Sequence, residues 1–202
     1  MNFLAHVYLA RHSDDAMLGA LLGDFVGTAG IDLFKPEVQR EILLHRKIDS
    51  YTDQHPAVQA MRALFPDGRR RYAGILLDVY FDHLLARDWA QYSDVPLDVF
   101  SRHFYDVLMA HLPVLPARLQ AIAPRIVEHD WFGMYRRREN VDAAVTRIAT
   151  RLSRNGDKLV ACLPILRAHE AEVASGFQPF FRDLVAYSAQ ARTVLEANAA
   201  PA

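Results

Sequence analysis

Acidic and histidine side chains occupy several positions that are surrounded by apolar residues. His6 stands in NFLAHVYL, Asp24 in ALLGDFVG and Asp78 in GILLDVYFDHLL. A carboxylate is costly to remove from water unless it meets a cation, a metal ion or several hydrogen-bond donors. These residues therefore predict either a metal site or a set of buried ion pairs, and their spacing leaves both interpretations open.

Further polar residues repeat at the spacing of one helical turn. Asp78 and Asp82 are four residues apart, and His83 follows Asp82 directly. His45 and Asp49 are also four residues apart, so each pair is expected to share one face of a helix. Helices that direct such side chains toward one point in a bundle form metal sites. Mixed His and Asp ligands suit Mn²⁺, Mg²⁺, Fe²⁺ or Zn²⁺, and the ion would polarise a phosphoryl oxygen or activate a bound water.

Two short runs of arginine form a separate signal. They occur in PDGRRRY and MYRRRE and comprise Arg69, Arg70, Arg71, Arg136, Arg137 and Arg138. Such triplets are either solvated helix ends or a binding face for phosphate or for an acidic protein partner. The formal net charge of the chain is only −1, which argues against a nucleic-acid-binding protein and against attraction to an anionic membrane.

The elements that position these groups are predicted to be helices. Apolar residues recur at intervals of three and four almost throughout the chain. Ser13 begins one helix, and Pro36 begins the next, which stops near His55 because Pro56 follows. The predicted inner stripe of this second helix is Val38, Ile42, Leu43 and Ile48.

Further helices are predicted at 57–65, 72–89, 96–111, 116–130, 140–153, 157–166 and 169–196. The last of these is expected to break or kink near Gly176 and Pro179. No alternating pattern of strand length occurs. The fold class is therefore all-α, a single-domain helical bundle over residues 1–202, with a tail at about 195–202 that is expected to fray.

Other features limit the function classes. The single cysteine, Cys162, lies in the apolar stretch KLVACLPIL, so it is expected to be an inert buried thiol in a reducing compartment. No apolar stretch approaches the roughly 20 residues of a membrane span, and no targeting segment is evident. A soluble cytoplasmic protein is expected. The doublet His129-Asp130 stands at a predicted helix end, and we interpret it as unrelated to the metal-binding residues.

Four motifs in order resemble the bacterial acyl-carrier-protein phosphodiesterases. They are MNFLAH at the start, LLGDFV at 21–26, HRKIDSYTD at 45–53 and LDVYFDHLLARDW at 77–89. The resemblance implies a helical, HD-like fold, a distorted relative of the HD phosphohydrolases, with dependence on Mn²⁺. It also implies hydrolysis of the phosphodiester between 4′-phosphopantetheine and a serine of acyl carrier protein, which yields the apo carrier.

The resemblance also assigns roles to residues that stand within these motifs. The implied metal ligands are His6, Asp24, His45, Asp78 and Asp82. His83 is a further candidate at the metal site, with Arg46, Asp49 and Asp53 as neighbours. Our own hypothesis is that the catalytic residues are His83, Arg46 and Asp49, and that His45 can exchange roles with His83. We expect an arginine to neutralise charge on the phosphodiester, and His83 to protonate the departing serine oxygen. The sequence departs from a standard HD site, because Arg46 follows His45 and because Asp82 precedes His83.

The arginine triplets are predicted to dock the acidic carrier protein. Two alternatives remain at this point. One is a metal phosphohydrolase that acts on a nucleotide or a small phosphate ester and needs no protein-docking face. The other is a helical module without enzymatic activity that binds an acidic protein, in which the inner Asp and His residues only form structural pairs. The oligomeric state is open.

Overall fold

A computed structural model describes residues 2–199, and these residues form α-helices and short 3₁₀ segments without a β-strand. The helices are α1 (Phe3–Leu9), α2 (Asp14–Leu22), α3 (Pro36–Gln54), α4 (Pro56–Ala63), α5 (Arg70–Arg87), α6 (Leu97–Ala110), α7 (Ala117–Glu128), α8 (Trp131–Met134), α9 (Arg138–Ala149), α10 (Gly156–Val160), α11 (Leu163–Ala168) and α12 (Glu170–Ala199). The all-α fold class is confirmed. No helix of the described residues is long and apolar enough to cross a membrane.

The predicted helix boundaries near the site are confirmed. The Ser13 hydroxyl accepts a hydrogen bond from the Ala16 N–H at 3.1 Å and caps α2. Pro36 occupies the first turn of α3, where its missing N–H costs nothing. The same helix ends at Gln54, and His55 stands between it and Pro56, which begins α4.

A core of aromatic side chains joins the long helices. Phe81 of α5 lies 5.3 Å from Phe177 and 5.4 Å from Phe180 of α12, measured between ring centroids. α1 packs against α2 and α5, while α3 packs between α2 and α12. The helices α1, α2, α3 and α5 therefore hold fixed positions relative to one another.

A second contact to α12 is polar. Arg192 donates to both carboxylate oxygens of Glu41, at 2.6 and 3.2 Å, and also to the carbonyl of Leu9 at 3.0 Å. Glu41 is buried, and Leu43 is 38% exposed. The prediction of Leu43 in the inner stripe of α3 was therefore wrong. The ion pair with Arg192 compensates the cost of burying the Glu41 carboxylate on α3.

Other sequence predictions need correction. Of the break or kink predicted near Gly176 and Pro179, the break is absent, because α12 is continuous from Glu170 to Ala199. The kink stays a prediction. The segment 157–166 forms parts of two helices, α10 and α11, and the short helices α1 and α8 were not predicted. Of the tail expected to fray, residues 195–199 belong to α12, and residues 200–202 lie outside the described residues.

Candidate metal centre

Three elements meet at the candidate metal centre. His6 lies in the middle of α1 and is 1% exposed. His45 and Asp49 lie one turn apart on α3, and His45 is also buried. Asp24 lies in the turn that follows α2, with a side chain that is 45% exposed. The centre thus has a buried imidazole side and an open carboxylate side.

The Asp49 carboxylate joins the two imidazoles. Its Oδ1 is 3.0 Å from Nε2 of His6, and its Oδ2 is 3.2 Å from Nε2 of His45. The two rings stack with centroids 3.7 Å apart and planes inclined by 16°. Ligand atoms of all three residues lie within 4.8 Å of one another. Asp24 extends the cluster, with its Oδ1 3.5 Å from Nε2 of His45.

The orientation of His45 is fixed from behind. Its Nδ1 lies 2.7 Å from the Ala20 carbonyl, to which an N–H at this position donates. The other nitrogen, Nε2, is thereby directed at the carboxylates. Histidine ligands of metal ions are commonly held in this way by a backbone carbonyl. Among the described residues, Nδ1 of His6 is buried without a hydrogen-bond partner.

The charges of the cluster compensate one another. Burial would lower the pKa of His45, but hydrogen bonds to Asp24 and Asp49 outweigh it and raise that pKa to about 9. Burial and the charge of His45 lower the pKa of His6 to about 4, against the attraction of Asp49. The two histidines hold the pKa of Asp49 below its ordinary value, although burial acts in the opposite direction. His45 is therefore the protonated, positively charged imidazole of the cluster. Its charge occupies the place where a metal cation would bind.

This donor set fits a divalent metal ion. Two imidazole nitrogens and carboxylate oxygens converge within reach of one ion, and such mixed N and O ligands suit Mn²⁺, Fe²⁺ or Zn²⁺. An ion would replace the proton of His45 and meet the negative charge of Asp24 and Asp49. The coarse expectation of a divalent-cation site is therefore compatible with the geometry, and the identity of the metal belongs to the proposal below.

Asp78 and Asp82 of α5 make different contacts from those of the metal cluster. Asp78 is half-buried; burial raises its pKa, and the negative charges of Asp49 and Asp53 add to that effect. Asp82 instead accepts hydrogen bonds from the backbone N–H groups of Leu4 at 2.8 Å and Ala5 at 3.0 Å. Its carboxylate caps the N-terminus of α1.

His83 points to another part of the bundle. Its Nδ1 lies 2.7 Å from the carbonyl of Tyr135, and its ring centroid is 5.3 Å from that of Tyr80. Burial lowers the pKa of His83, and the charges of Arg87 and Arg138 lower it further. These neighbours place the imidazole on the side of α5 that packs against α9, whereas the cluster is formed by α1 and α3.

Arg46 lies at the rim of the centre. It donates to the carbonyl of Val26 at 2.8 Å, and a longer contact of 3.5 Å joins it to the Thr28 hydroxyl. These contacts hold the guanidinium over the segment that follows Asp24. Asp53, one turn beyond Asp49 on α3, is exposed and pairs with Arg62 at 3.3 Å.

The two arginine triplets lie at different places along α5. Residues 69–71 are at its start, while Arg136 lines a surface depression together with Ala86 and Arg87 at its end. Arg70 pairs with Asp67 at 2.8 Å. Arg138 is committed to ion pairs with Asp142 and Glu170. Arg71, Arg136 and Arg137 are exposed.

Sequence reasoning did not identify Gly23 as part of the site. A Cβ atom at Gly23 would lie 2.2 Å from Cγ of His45, so only glycine allows the imidazole to pack against the end of α2. The available signal was a glycine next to Asp24 in LLGDFV.

In the doublet His129-Asp130, the aspartate has a structural role. Asp130 caps α8 and accepts a hydrogen bond from the Tyr105 hydroxyl at 2.9 Å.

The fold and the cluster define a class of helical proteins with a candidate divalent-metal centre between helices. Within that class, the family model described as "Acyl carrier protein phosphodiesterase" matches residues 1–184, and the chain belongs to this family.

Curated relatives bear the same description. A protein of Serratia proteamaculans (strain 568) named "Acyl carrier protein phosphodiesterase" is 39% identical over 136 residues, which cover 67% of this chain and 70% of the relative. A protein of Escherichia coli O157:H7 with the same name is 35% identical over 191 residues, covering 94% of this chain and 98% of the relative. No solved structure gives a significant match to this chain.

Proposed function

We propose that this chain is a metal-dependent phosphodiester hydrolase that removes 4′-phosphopantetheine from the serine of holo-acyl carrier protein. The observation that carries the proposal is the cluster of His6, His45 and Asp49 in a member of a family that bears this activity in its name. We propose Mn²⁺ as the ion. We also propose the cytoplasm as the location, since the one cysteine is buried and unpaired, as expected in a reducing compartment.

The chain's own residues prepare the centre for this reaction. His6, His45 and Asp49 would hold the ion, with Asp24 and Asp78 as further ligands, and the bound ion would supply a Lewis acid and an acidified water. The Ala20 carbonyl orients His45, and Asp82 anchors the helix that carries His6. Arg46 at the rim would add positive charge beside the phosphodiester. The contact of His83 with Tyr135 does not support the proton-donating role expected from sequence, so we leave His83 out of the proposed centre.

Mass spectrometry of holo-carrier protein tests the proposal directly. Incubation with this protein and Mn²⁺ is expected to remove the phosphopantetheine mass. Asp49→Ala takes away the carboxylate that joins both imidazoles, so the rate is expected to fall at least about 100-fold. Asp106→Ala removes an exposed carboxylate on α6, is the matched control and is expected to retain the wild-type rate.

Two results would contradict the proposal. One is an unchanged carrier mass after incubation with folded, Mn²⁺-loaded protein. The other is equal turnover by Asp49→Ala and Asp106→Ala, which would place the chemistry elsewhere. A parallel incubation with small phosphodiesters separates the carrier-specific reaction from a phosphohydrolase that accepts any phosphate ester.

A further inference from the structure

A cavity of about 280 Å³ lies beside the N-terminal end of α1 and is not used by the proposed reaction. It is enclosed by the first residues of α1, the start of α7, the helix α8 and the C-terminal part of α9 with the turn that follows it. Its volume lies near the lower end of the range for small-molecule pockets, which is roughly 300 to 1,000 Å³. A cavity of this size admits a small molecule or a single side-chain-sized group.

Aromatic and aliphatic side chains both line the cavity. The rings of Phe3 and Trp131 are stacked, with centroids 6.3 Å apart and planes inclined by 13°. Ile148 and Leu152 contribute apolar surface from α9 and the turn behind it. Together these side chains form a slot that suits a planar or apolar body.

Three arginines line the same cavity without a carboxylate partner. Within the described part of the chain, no ion pair is formed by Arg118, Arg147 or Arg151. The arginines with carboxylate partners elsewhere are Arg62, Arg70, Arg87, Arg138, Arg167 and Arg192. Arg118 is held over the ring of Phe25 at 5.3 Å, so its guanidinium is also in contact with an aromatic face. Uncompensated positive charge at an apolar cavity attracts an anion.

We propose that this cavity binds a small amphiphilic anion, with a planar or aromatic body between the apolar walls and a phosphate or phosphonate group at the arginines. The ligand is either a free molecule or the same chemical group carried on a larger substrate. The proposal does not depend on the metal centre, because none of the cluster residues lines the cavity.

The two tryptophans of the chain make the site directly observable. Trp131 lines the cavity, whereas Trp89 is buried elsewhere with its indole N–H bound to the Val95 carbonyl at 2.7 Å. A ¹H–¹⁵N spectrum therefore contains one indole signal for the cavity and one internal reference, and Trp131→Phe assigns them. Titration with phenylphosphonate, which has an aromatic ring and cannot be hydrolysed as an ester, is expected to shift the Trp131 signal and leave the Trp89 signal in place.

Arginine variants test the electrostatic part of the proposal. Arg147→Gln and Arg151→Gln are each expected to weaken phenylphosphonate binding about tenfold, the effect of losing one charge-assisted contact. Arg182→Gln on α12 removes the same charge far along the chain and is expected to bind like wild type. Benzyl alcohol and inorganic phosphate, each with half of the required chemistry, are expected to bind at least about tenfold more weakly.

Specific outcomes would overturn the proposal. They are an unshifted Trp131 signal, equal binding by all three arginine variants, or binding of benzyl alcohol as tight as that of phenylphosphonate. Asp49→Ala is expected to bind phenylphosphonate normally, so failure of the proposed catalytic function leaves this test intact. Competition of phenylphosphonate with holo-carrier hydrolysis supports an anion carried on the substrate, and undisturbed hydrolysis supports a free ligand.

Discussion

The carboxylate of Asp49 has an unusual position, because each of its oxygens faces a different imidazole. With Oδ1 at 3.0 Å from His6 and Oδ2 at 3.2 Å from His45, it holds the two rings face to face. Two stacked imidazoles repel each other when both are in the protonated, positively charged form. The pKa of His45 rises to about 9 while that of His6 falls to about 4, so near neutral pH the pair carries one positive charge, on His45.

This arrangement predicts that metal binding releases a proton. At pH 7.5 the metal-free cluster holds a proton on His45, whose pKa is about 9, and an ion that binds Nε2 must displace it. Isothermal titration with Mn²⁺ in two buffers of different ionisation enthalpy is expected to give about one proton per ion. The apparent affinity is expected to rise with pH up to about 9. A heat of binding that is independent of the buffer would contradict this assignment.

Part of the residue-level site was predictable. The four-residue interval correctly predicted that His45 and Asp49 share one face of a helix, because helical geometry fixes that relation locally. The same interval between Asp78 and Asp82 placed both on one face, but it could not show that Asp82 binds backbone N–H groups of α1. Contacts between residues 78 positions apart depend on tertiary packing, which the spacing of one helix does not contain.

At the scale of elements, α1 depends on a cap supplied by another helix. α1 has only seven residues, and no side chain at its own N-terminus accepts a hydrogen bond from it. Asp82 supplies both acceptor oxygens from α5. Helix N-termini leave N–H groups unpaired and attract negative charge, so this contact positions the helix that carries His6.

The buried cap predicts a pH-dependent stability. Burial raises the pKa of Asp82 to about 7, against the opposing effect of the N–H groups of Leu4 and Ala5. An unfolded aspartate titrates near 3.9, so the folded state binds the additional proton between about pH 4 and 7. Stability contributed by this group therefore falls as the pH rises through that window, by at most about 1.4 kcal/mol per pH unit.

Asp82→Asn isolates this contribution. Denaturant unfolding of the wild type and of the variant is measured from pH 4 to 8 without metal. The difference between their free energies of unfolding is expected to change in favour of the variant as the pH rises. Parallel pH profiles would show that Asp82 does not titrate in this range.

The close packing of α2 against α3 gives a second element-level prediction. Gly23→Ala places a methyl group against the His45 ring, where the Cβ position is 2.2 Å from Cγ. We expect a loss of about 1–3 kcal/mol in stability and at least tenfold weaker Mn²⁺ binding, because the imidazole must move. Gly27→Ala is the matched control, since no atom lies within 4 Å of the corresponding position.

The two measurements are thermal unfolding and Mn²⁺ titration of both glycine variants. Normal metal binding by Gly23→Ala would mean that α2 shifts without disturbing His45.

The sequence correctly predicted where α2 and α3 begin, because the capping serine and the helix-starting proline act locally. Of the break or kink that it predicted near Pro179, the break is absent, and Phe177 and Phe180 beside this proline pack against Phe81 of α5, a tertiary contact that the local sequence does not contain.

At the scale of the whole molecule, the predicted docking residues form two separate surfaces. α5 has 18 residues and is about 27 Å long, with residues 69–71 at its start and Arg136 beside its last residues. Arg69 and Arg70 have contacts with Ala161 and Asp67, and Arg138 is held by two carboxylates. We therefore propose Arg136 and Arg137 as the stronger docking candidates.

Separate substitution of the two surfaces tests this. Arg136→Ala/Arg137→Ala is expected to raise the KM for holo-carrier protein severalfold at low ionic strength, with kcat unchanged, and added salt is expected to reduce the difference. Arg70→Ala/Arg71→Ala removes the same charge at the other end of α5 and is expected to have a smaller effect. Equal KM values for both variants and the wild type would show that neither triplet docks the carrier.

The contact of Arg192 with Glu41 and with the Leu9 carbonyl has a consequence for shortened versions of the chain. This one guanidinium, near the end of the chain, fastens α1 to α3, the two helices that carry His6 and His45. The span matched by the family model ends at residue 184. A chain shortened to that span would lose Arg192 while keeping every residue of the metal cluster. A shortened version can thus contain the whole centre in sequence and still fail to assemble it.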